Sequence, residues 1–433
     1  MKKLTLLFAG LVLALSPVLA QSRENILKVY NWADYIDEDL IGEFEQWYEQ
    51  QTGKPVKIVY QLFDINEVML SKIEMGHEDF DVVCPSEYII ERMLRNDLLL
   101  PIDKNFPDSI NWIGNESPYI VDIFNQIDGS GKNANDYAVG YMWGTTGLLY
   151  NPRFVPEEET RSWNVLQNPK YAGKIFMKDA FRDVYTTFLV SLNKDKIDAG
   201  EVDIKKLTFD ASDESIAMVE NYLNTFKDNV SGWEADFGKE RMTQEKAYIN
   251  FTWSGDAQWA IDEAEKVGVK LAYSVPQEGA IIWFDGWVIP KYAKNVEAAR
   301  YFIDFMCKPE NAIRNMDAIG YVSTIGGPEV LASQINEEAY EPLDASYFFG
   351  EGAESVCINP VFYPDASTIR RCGMMHDNGD RTDLLLGMWS RVKGDNASAM
   401  TYVILALAIV GLIVALVVIR QNKNKKKSRK GRR

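Results

Sequence analysis

Apolar positions in this chain recur at two spacings, and the way those spacings alternate predicts the architecture. Ile26-Leu27-Lys28-Val29-Tyr30-Asn31-Trp32 reads as a short strand that ends at a polar turn. From Asp37 to Gln50, Leu40, Ile41, Phe44, Trp47 and Tyr48 recur at helical spacing. Gly53 stops that helix, and Val56-Lys57-Ile58-Val59-Tyr60 is the next strand. A second helix is expected around 67–75, then a strand over Phe80-Asp81-Val82-Val83-Cys84, with Pro85-Ser86-Glu87-Tyr88 as its loop. This rhythm predicts parallel βαβ units. Ligands of open α/β sheets sit beyond the carboxyl ends of strands, where Trp32 to Tyr35 and Ser86 to Tyr88 fall.

From about Tyr137 the pattern restarts. Val139 to Tyr150 is Gly-rich and aromatic, as a crossing into a second lobe would be. Ile175-Phe176-Met177 is a strand leading to a charged loop, Asp179-Ala180-Phe181-Arg182-Asp183, ahead of a helix over 184–192. Helices are also expected over 213–226, 257–267 and 298–307, and a strand over 248–253. Ile319-Gly320-Tyr321-Val322 reads as a turn carrying an aromatic, and 390–400 as a short polar stalk.

One stretch breaks the usual segregation of polar from apolar. Ile281-Ile282-Trp283-Phe284-Asp285-Gly286-Trp287-Val288-Ile289-Pro290 has the β-branched and aromatic density of a buried strand, with a single Asp in its middle. Burying a carboxylate without compensation costs several kcal/mol or more. Either a structural Lys or Arg offsets Asp285, or the cation is a ligand, held by Asp285 and the face of Trp283. Residues two apart on a strand share a face, so both side chains would point the same way.

Charge and termini narrow the classes. The formal net charge is −17, yet nine Lys or Arg lie in the last 14 residues, and Lys2 and Lys3 open the chain. Removing those eleven cations from the −17 leaves the body between at −28, a charge that repels nucleic acid and attracts cations. Lys2-Lys3, an apolar run over 4–15 and small residues ending at Ala20 read as a signal peptide, 1–20. The 19 uncharged residues 401–419 suit one transmembrane helix, and the basic residues 420–433 after it suit a cytoplasmic tail. Four cysteines and two histidines have no metal-ligand spacing, and no cofactor is called for. Cys84 and Cys307 read as core, whereas Cys357 and Cys372 flank a Pro-containing loop and are able to pair in an oxidising compartment.

Trp32, Asp34, Tyr35, Ser86, Tyr88, Asp183, Trp253, Trp283, Asp285 and Tyr321 all fall at strand ends, in loops or in the central stretch. Together they describe an aromatic box with carboxylates, suited to a flexible organic cation. Cation–π contacts contribute about 0.5–2 kcal/mol each, and carboxylates supply charge-assisted hydrogen bonds.

The segments Val29-Tyr30-Asn31-Trp32-Ala33-Asp34-Tyr35-Ile36, Asp81-Val82-Val83-Cys84-Pro85-Ser86-Glu87-Tyr88, Tyr141-Met142-Trp143-Gly144, Trp283-Phe284-Asp285 and Ile319-Gly320-Tyr321 resemble the spermidine/putrescine-binding proteins of bacterial ABC importers. The resemblance runs over about 27–394. It implies an α/β periplasmic-binding-protein fold with two lobes and a ligand cleft at the hinge. The implied lobes are 27–137 with 284–328, and 138–283 with 329–394. It also implies a non-enzymatic role, with a polyamine as ligand and the permease and ATPase subunits of an importer as partners.

In that resemblance Trp32, Tyr35, Trp253, Trp283 and Tyr321 match aromatics lining the polyamine chain, and Asp285 the carboxylate that holds an amine. Asp34, the polar pair Ser86 and Tyr88, and Asp183 match further ligand contacts. Three positions depart from it. Ala33 stands where a hydroxyl residue is common, Ala180 where relatives can have an acid, with Asp179 adjacent, and Met375, beside His376, where relatives place a Gln. Other readings are a polyamine-sensing ectodomain, a binding protein for another small organic cation, and a hydrolase using paired acids such as Asp179 and Asp183.

Overall fold

The computed structural model describes residues 22–104, 111–235 and 237–394. The expected signal peptide, the transmembrane helix over 401–419 and the basic tail lie outside the described residues. No helix among the described residues is long and apolar enough to cross a membrane.

The chain divides into two compact units. The first holds the described residues up to Thr146, Trp253–Trp259 and Ile282–Asp377. The second holds Gly147–Thr252, Ala260–Ile281 and the described residues from Asn378. The chain first crosses at Thr146, inside the strand Ala138–Tyr150. Against the expected lobes, 138–146, 253–259, 282–283 and 329–377 all belong to the first unit. Packing explains the last. Phe348 stacks on Trp143 with ring centroids 5.1 Å apart, and Tyr363 packs on Phe348 at 5.2 Å.

In the first unit Ile26–Trp32 lies between Lys57–Phe63 and Val82–Val83, all parallel, with Trp32 opposite Phe63 and Tyr30 opposite Val83. Val83 also pairs antiparallel with Val288 of the strand Ala280–Pro290. That strand in turn runs antiparallel to Ala138–Tyr150, with Ile282 opposite Thr145 and Trp283 opposite Gly144. Every residue of both long strands is buried, as expected of a central strand whose two faces are covered. The register shifts between Asp285, opposite Met142, and Gly286, opposite Gly140. Such a bulge re-aims a side chain, and here it falls at the one acid of the stretch.

The helix Asp39–Thr52 buries Leu40, Phe44 and Tyr48 and ends at Gly53, whose φ of 68° is a left-handed cap. Phe44 meets Phe302 edge-on at 5.2 Å and Phe305 at 5.5 Å. The strand expected over 80–84 is only Val82–Val83, and Asp81 just before it serves as a hub. Its carboxylate accepts the backbone N–H groups of Lys28, Lys294 and Asn295 at 2.8 Å each.

In the second unit Ile175–Lys178 runs parallel to Val230–Glu234 and to Ile249–Trp253. Trp163, Phe188 and Phe251 form its aromatic core, with Trp163 5.3 Å from Phe188 and 5.5 Å from Phe251. Residues 390–393, expected in the stalk, instead complete the helix Thr382–Lys393, because Met388, Trp389 and Val392 are buried. Arg391 pairs with Glu220 and Trp389 meets Trp233 at 4.9 Å, which holds this helix to its unit.

Two further expectations are corrected. Pro85-Ser86-Glu87-Tyr88 is not all loop, since Glu87–Arg95 is a helix with Ile89, Ile90, Met93 and Leu94 buried. Cys357 and Cys372 do not form a disulfide: both are thiols in the first unit, and Cys372 Sγ lies 3.4 Å from the carbonyl oxygen of Thr368.

Candidate functional site

The first unit brings Tyr35, Ser86, Trp283, Asp285 and Tyr321 together through direct contacts. Ser86 precedes the helix Glu87–Arg95 as its N-cap, yet its hydroxyl makes no capping bond. A capping hydroxyl contributes about 1 kcal/mol to helix stability. Here it donates instead to Asp285 Oδ1 at 2.7 Å, and Ser86 and Asp285 also form an isolated antiparallel bridge. Tyr35 donates its phenol to Asp285 Oδ2 at 2.9 Å. An ionised carboxylate has about four lone-pair positions, and these hydroxyls use two of them.

Tyr35 is itself held firmly. Its carbonyl accepts from the Asn31 amide at 3.2 Å and from the Tyr141 phenol at 2.8 Å. Burial, reinforced by the charge of Asp285, pushes the Tyr35 phenol well above its ordinary value, so it stays a donor. Asn66 Nδ2 donates to Ser86 Oγ at 3.0 Å and to Tyr88 OH at 2.9 Å.

The rings form a connected path. Tyr35 meets Tyr321 edge-on at 5.5 Å, and Tyr321 meets Trp283 at 5.5 Å. Two glycines make room for them. A Cβ on Gly144 would lie 2.6 Å from Trp283, and one on Gly255 would lie 2.5 Å from the Tyr321 ring. Trp283 donates its indole N–H to the Thr145 carbonyl at 3.3 Å, and Tyr321 donates its phenol to Asp256 Oδ1 at 2.9 Å. The Gly320 cap, at φ 73°, ends the helix Pro309–Ile319 and delivers Tyr321, as the turn predicted from sequence requires.

The remaining expected residues are placed differently. Trp32 ends its strand half-buried, with its ring 4.5 Å from Phe63. Asp34 is exposed in a turn at φ 51°, a left-handed conformation that Asp tolerates. Tyr88 is half-buried and linked to Ser86 through Asn66. Trp253 is half-buried at the end of Ile249–Trp253.

Asp183 belongs to the second unit and is buried in the first turn of the helix Phe181–Leu192, not in a loop as expected. Asp179 is committed elsewhere, accepting from the Trp389 indole at 2.7 Å and the Lys393 ammonium at 2.9 Å. It therefore does not replace the acid missing at Ala180. Met375 and His376 are buried, and His376 Nδ1 lies 3.2 Å from Glu91 Oε2.

Two polar residues of the site were not singled out from sequence, Asn66 and Asp256. Asn66 opens the helix Asn66–Glu74, where a polar residue is ordinary, and nothing local distinguished it. Asp256 had a signal, since Ser254-Gly255-Asp256 ends a strand just as Ser86 and Tyr88 follow one. In sum, the site offers buried carboxylates beside ring faces and oriented hydroxyls, a geometry for gripping an ammonium group.

Residues 43–333 match the bacterial extracellular solute-binding protein family, more than half of the chain. The chain belongs to this family. Members of this solute-binding family bind cargo for transporters and are not enzymes, so the hydrolase reading falls. The chain is 30% identical to the putrescine-binding periplasmic protein SpuD of Pseudomonas aeruginosa, over 87% of this chain and 94% of that one. It is 29% identical to the putrescine-binding periplasmic protein PotF of Escherichia coli, over 79% and 90%. The solved structure of PotD, substrate-binding protein of a spermidine/putrescine ABC transporter of Streptococcus pneumoniae, matches with a TM-score of 0.62 at 29% identity. That match covers 85% of this chain and 99% of the other, and the fold is the α/β periplasmic-binding-protein fold.

Proposed function

We propose that this solute-binding protein captures polyamines, putrescine or spermidine or both, for an ABC importer. The observation that carries the reading is Asp285. It is a buried carboxylate gripped by the Tyr35 and Ser86 hydroxyls, beside the ring path Tyr35–Tyr321–Trp283. One ammonium group of the ligand bonds Asp285, while its methylene chain runs against aromatic faces. Trp32, Asp34, Tyr88, Asp183 and Trp253 complete the proposed contact set. The names of the relatives support the ligand class, and the body charge of −28 suits a polycation.

The protein is held at the outer face of the cell membrane by residues 401–419, with the basic tail inside. Calorimetric titration of the full-length protein with putrescine, spermidine and spermine tests the ligand. Saturable one-to-one binding of at least one is expected, and binding of none overturns the reading. Protease added to intact cells tests the anchor. The body should be degraded and the tail protected, whereas full-length protein recovered from the medium without detergent contradicts it.

A further inference from the structure

We infer that Asn66 is a positioning residue for the carboxylate of Asp285, acting through the direction of its hydrogen bonds. This deepens the proposed function and rests on Asp285 being the ligand's counter-charge. Ser86 has one hydroxyl proton, and the short contact to Asp285 Oδ1 at 2.7 Å uses it, because an ionised carboxylate only accepts. Ser86 Oγ can therefore meet Asn66 only as an acceptor, so the amide must present an N–H, Nδ2, to it. The second N–H of the same nitrogen goes to Tyr88 OH. Asn66 thus fixes a one-way chain, Asn66 to Ser86 to Asp285, and orients Tyr88 from the same atom.

The consequence is selectivity for a cation. Without Asn66, the Ser86 hydroxyl can rotate away, and Asp285 loses a hydroxyl that helps to set its plane. Asn66 is almost wholly buried, at 3% exposure, so bulk water does not readily take over its role. Asn66 also opens the helix Asn66–Glu74, and buries its side chain along with Met69, Leu70 and Ile73 of that helix. The amide is therefore held on a rigid element, as a positioning group must be.

The test is a set of double-mutant cycles read by calorimetric titration of the full-length protein with putrescine and spermidine. Asn66→Leu keeps the approximate volume and removes both donors. It should weaken binding by roughly tenfold in the parent but by less than about threefold when Ser86 is already Ala, a coupling typical of groups in one network. In a Tyr321→Phe background, where the lost hydroxyl bonds Asp256 instead, the tenfold loss should persist. Thermal melting of each variant confirms folding, and Asn66→Ala serves the same cycles if the Leu variant does not fold. Equal losses in the parent and Ser86→Ala backgrounds overturn the inference, as does coupling to Tyr321→Phe of the same size. A parent that binds neither polyamine overturns the proposed function itself, an outcome distinct from either.

Discussion

Asp81 and Asp285 are both buried aspartates of the first unit, yet their surroundings assign them opposite work. Asp81 accepts three backbone N–H groups and an ion pair with Arg23 at 2.9 Å. Those donors belong to the fold and cannot be exchanged for a ligand. Asp285 accepts from two side-chain hydroxyls, Tyr35 and Ser86, that reach it from separate segments. Its neighbours are ring faces, and the Ser86 hydroxyl forgoes a helix cap to reach it. A buried acid satisfied by backbone is architecture, and the one held by oriented hydroxyls beside aromatics is the acid we propose as the binding group.

Breaking the Asp81 hub should give the largest effect on stability. Asp81→Asn replaces an acceptor of several amides with a group that must also donate, and it strands Arg23. A loss of about 2–4 kcal/mol in unfolding free energy is expected by chemical denaturation. The molecules that stay folded should bind ligand as the parent does. A large loss of affinity at unchanged stability would reverse the comparison.

Trp283→Ala sharpens the other side. It removes a ring from the path and the indole bond to Thr145, and affinity for putrescine and spermidine should fall by at least about tenfold, consistent with one lost cation–π contact plus packing. Retained affinity would show that the ring path is core and not site.

Asp304 is a third buried acid and isolates the cost of burial. It accepts from the Ile113 N–H at 3.2 Å, but burial outweighs that bond and the nearby Lys308, and pushes its carboxyl up to about 6. A folded value above the unfolded one means the folded state binds the proton more readily, so this group favours folding as pH falls from 7 to 4. With the pH window covering only part of the titration, the expected contribution is about 1–2 kcal/mol. The stability of Asp304→Asn relative to the parent should shift in the variant's favour by that amount between pH 4 and pH 7. A difference independent of pH would contradict the assignment.

The smallest effect concerns Asp179. Its oxygens serve Trp389 and Lys393, so Asp179→Asn should change ligand affinity by less than about threefold by titration, while loosening the last helix slightly. A loss of tenfold or more would return Asp179 to the binding set.

Period and composition carried most of the fold. The buried run over 281–290, the helix over 37–50 and the turn at Gly320 follow from local spacing, and the structure contains all three within a residue or two at their ends. What the spacing did not reveal was long-range. Residues 329–377 join the first unit through Phe348 on Trp143, a contact between segments 205 positions apart that leaves no periodic trace. The helix at Glu87 was hidden because Pro85 and Ser86 read as a turn, whereas its four buried apolar residues needed more than the first two positions to be seen. Asp285 was legible because an acid in an apolar strand violates the local pattern. Asn66 was not, because an Asn opening a helix violates nothing.

The central claim is that Asp285 is a binding group and not an architectural one, and Asp285→Asn tests it most directly. The substitution keeps the shape and removes the charge. Losing one partner of a buried charged pair costs about 2–5 kcal/mol, so calorimetric titration should give dissociation constants roughly 30- to 5,000-fold weaker for putrescine and spermidine, with the thermal midpoint little changed. Unchanged affinity together with a marked fall in the thermal midpoint would place Asp285 with Asp81 and contradict the account.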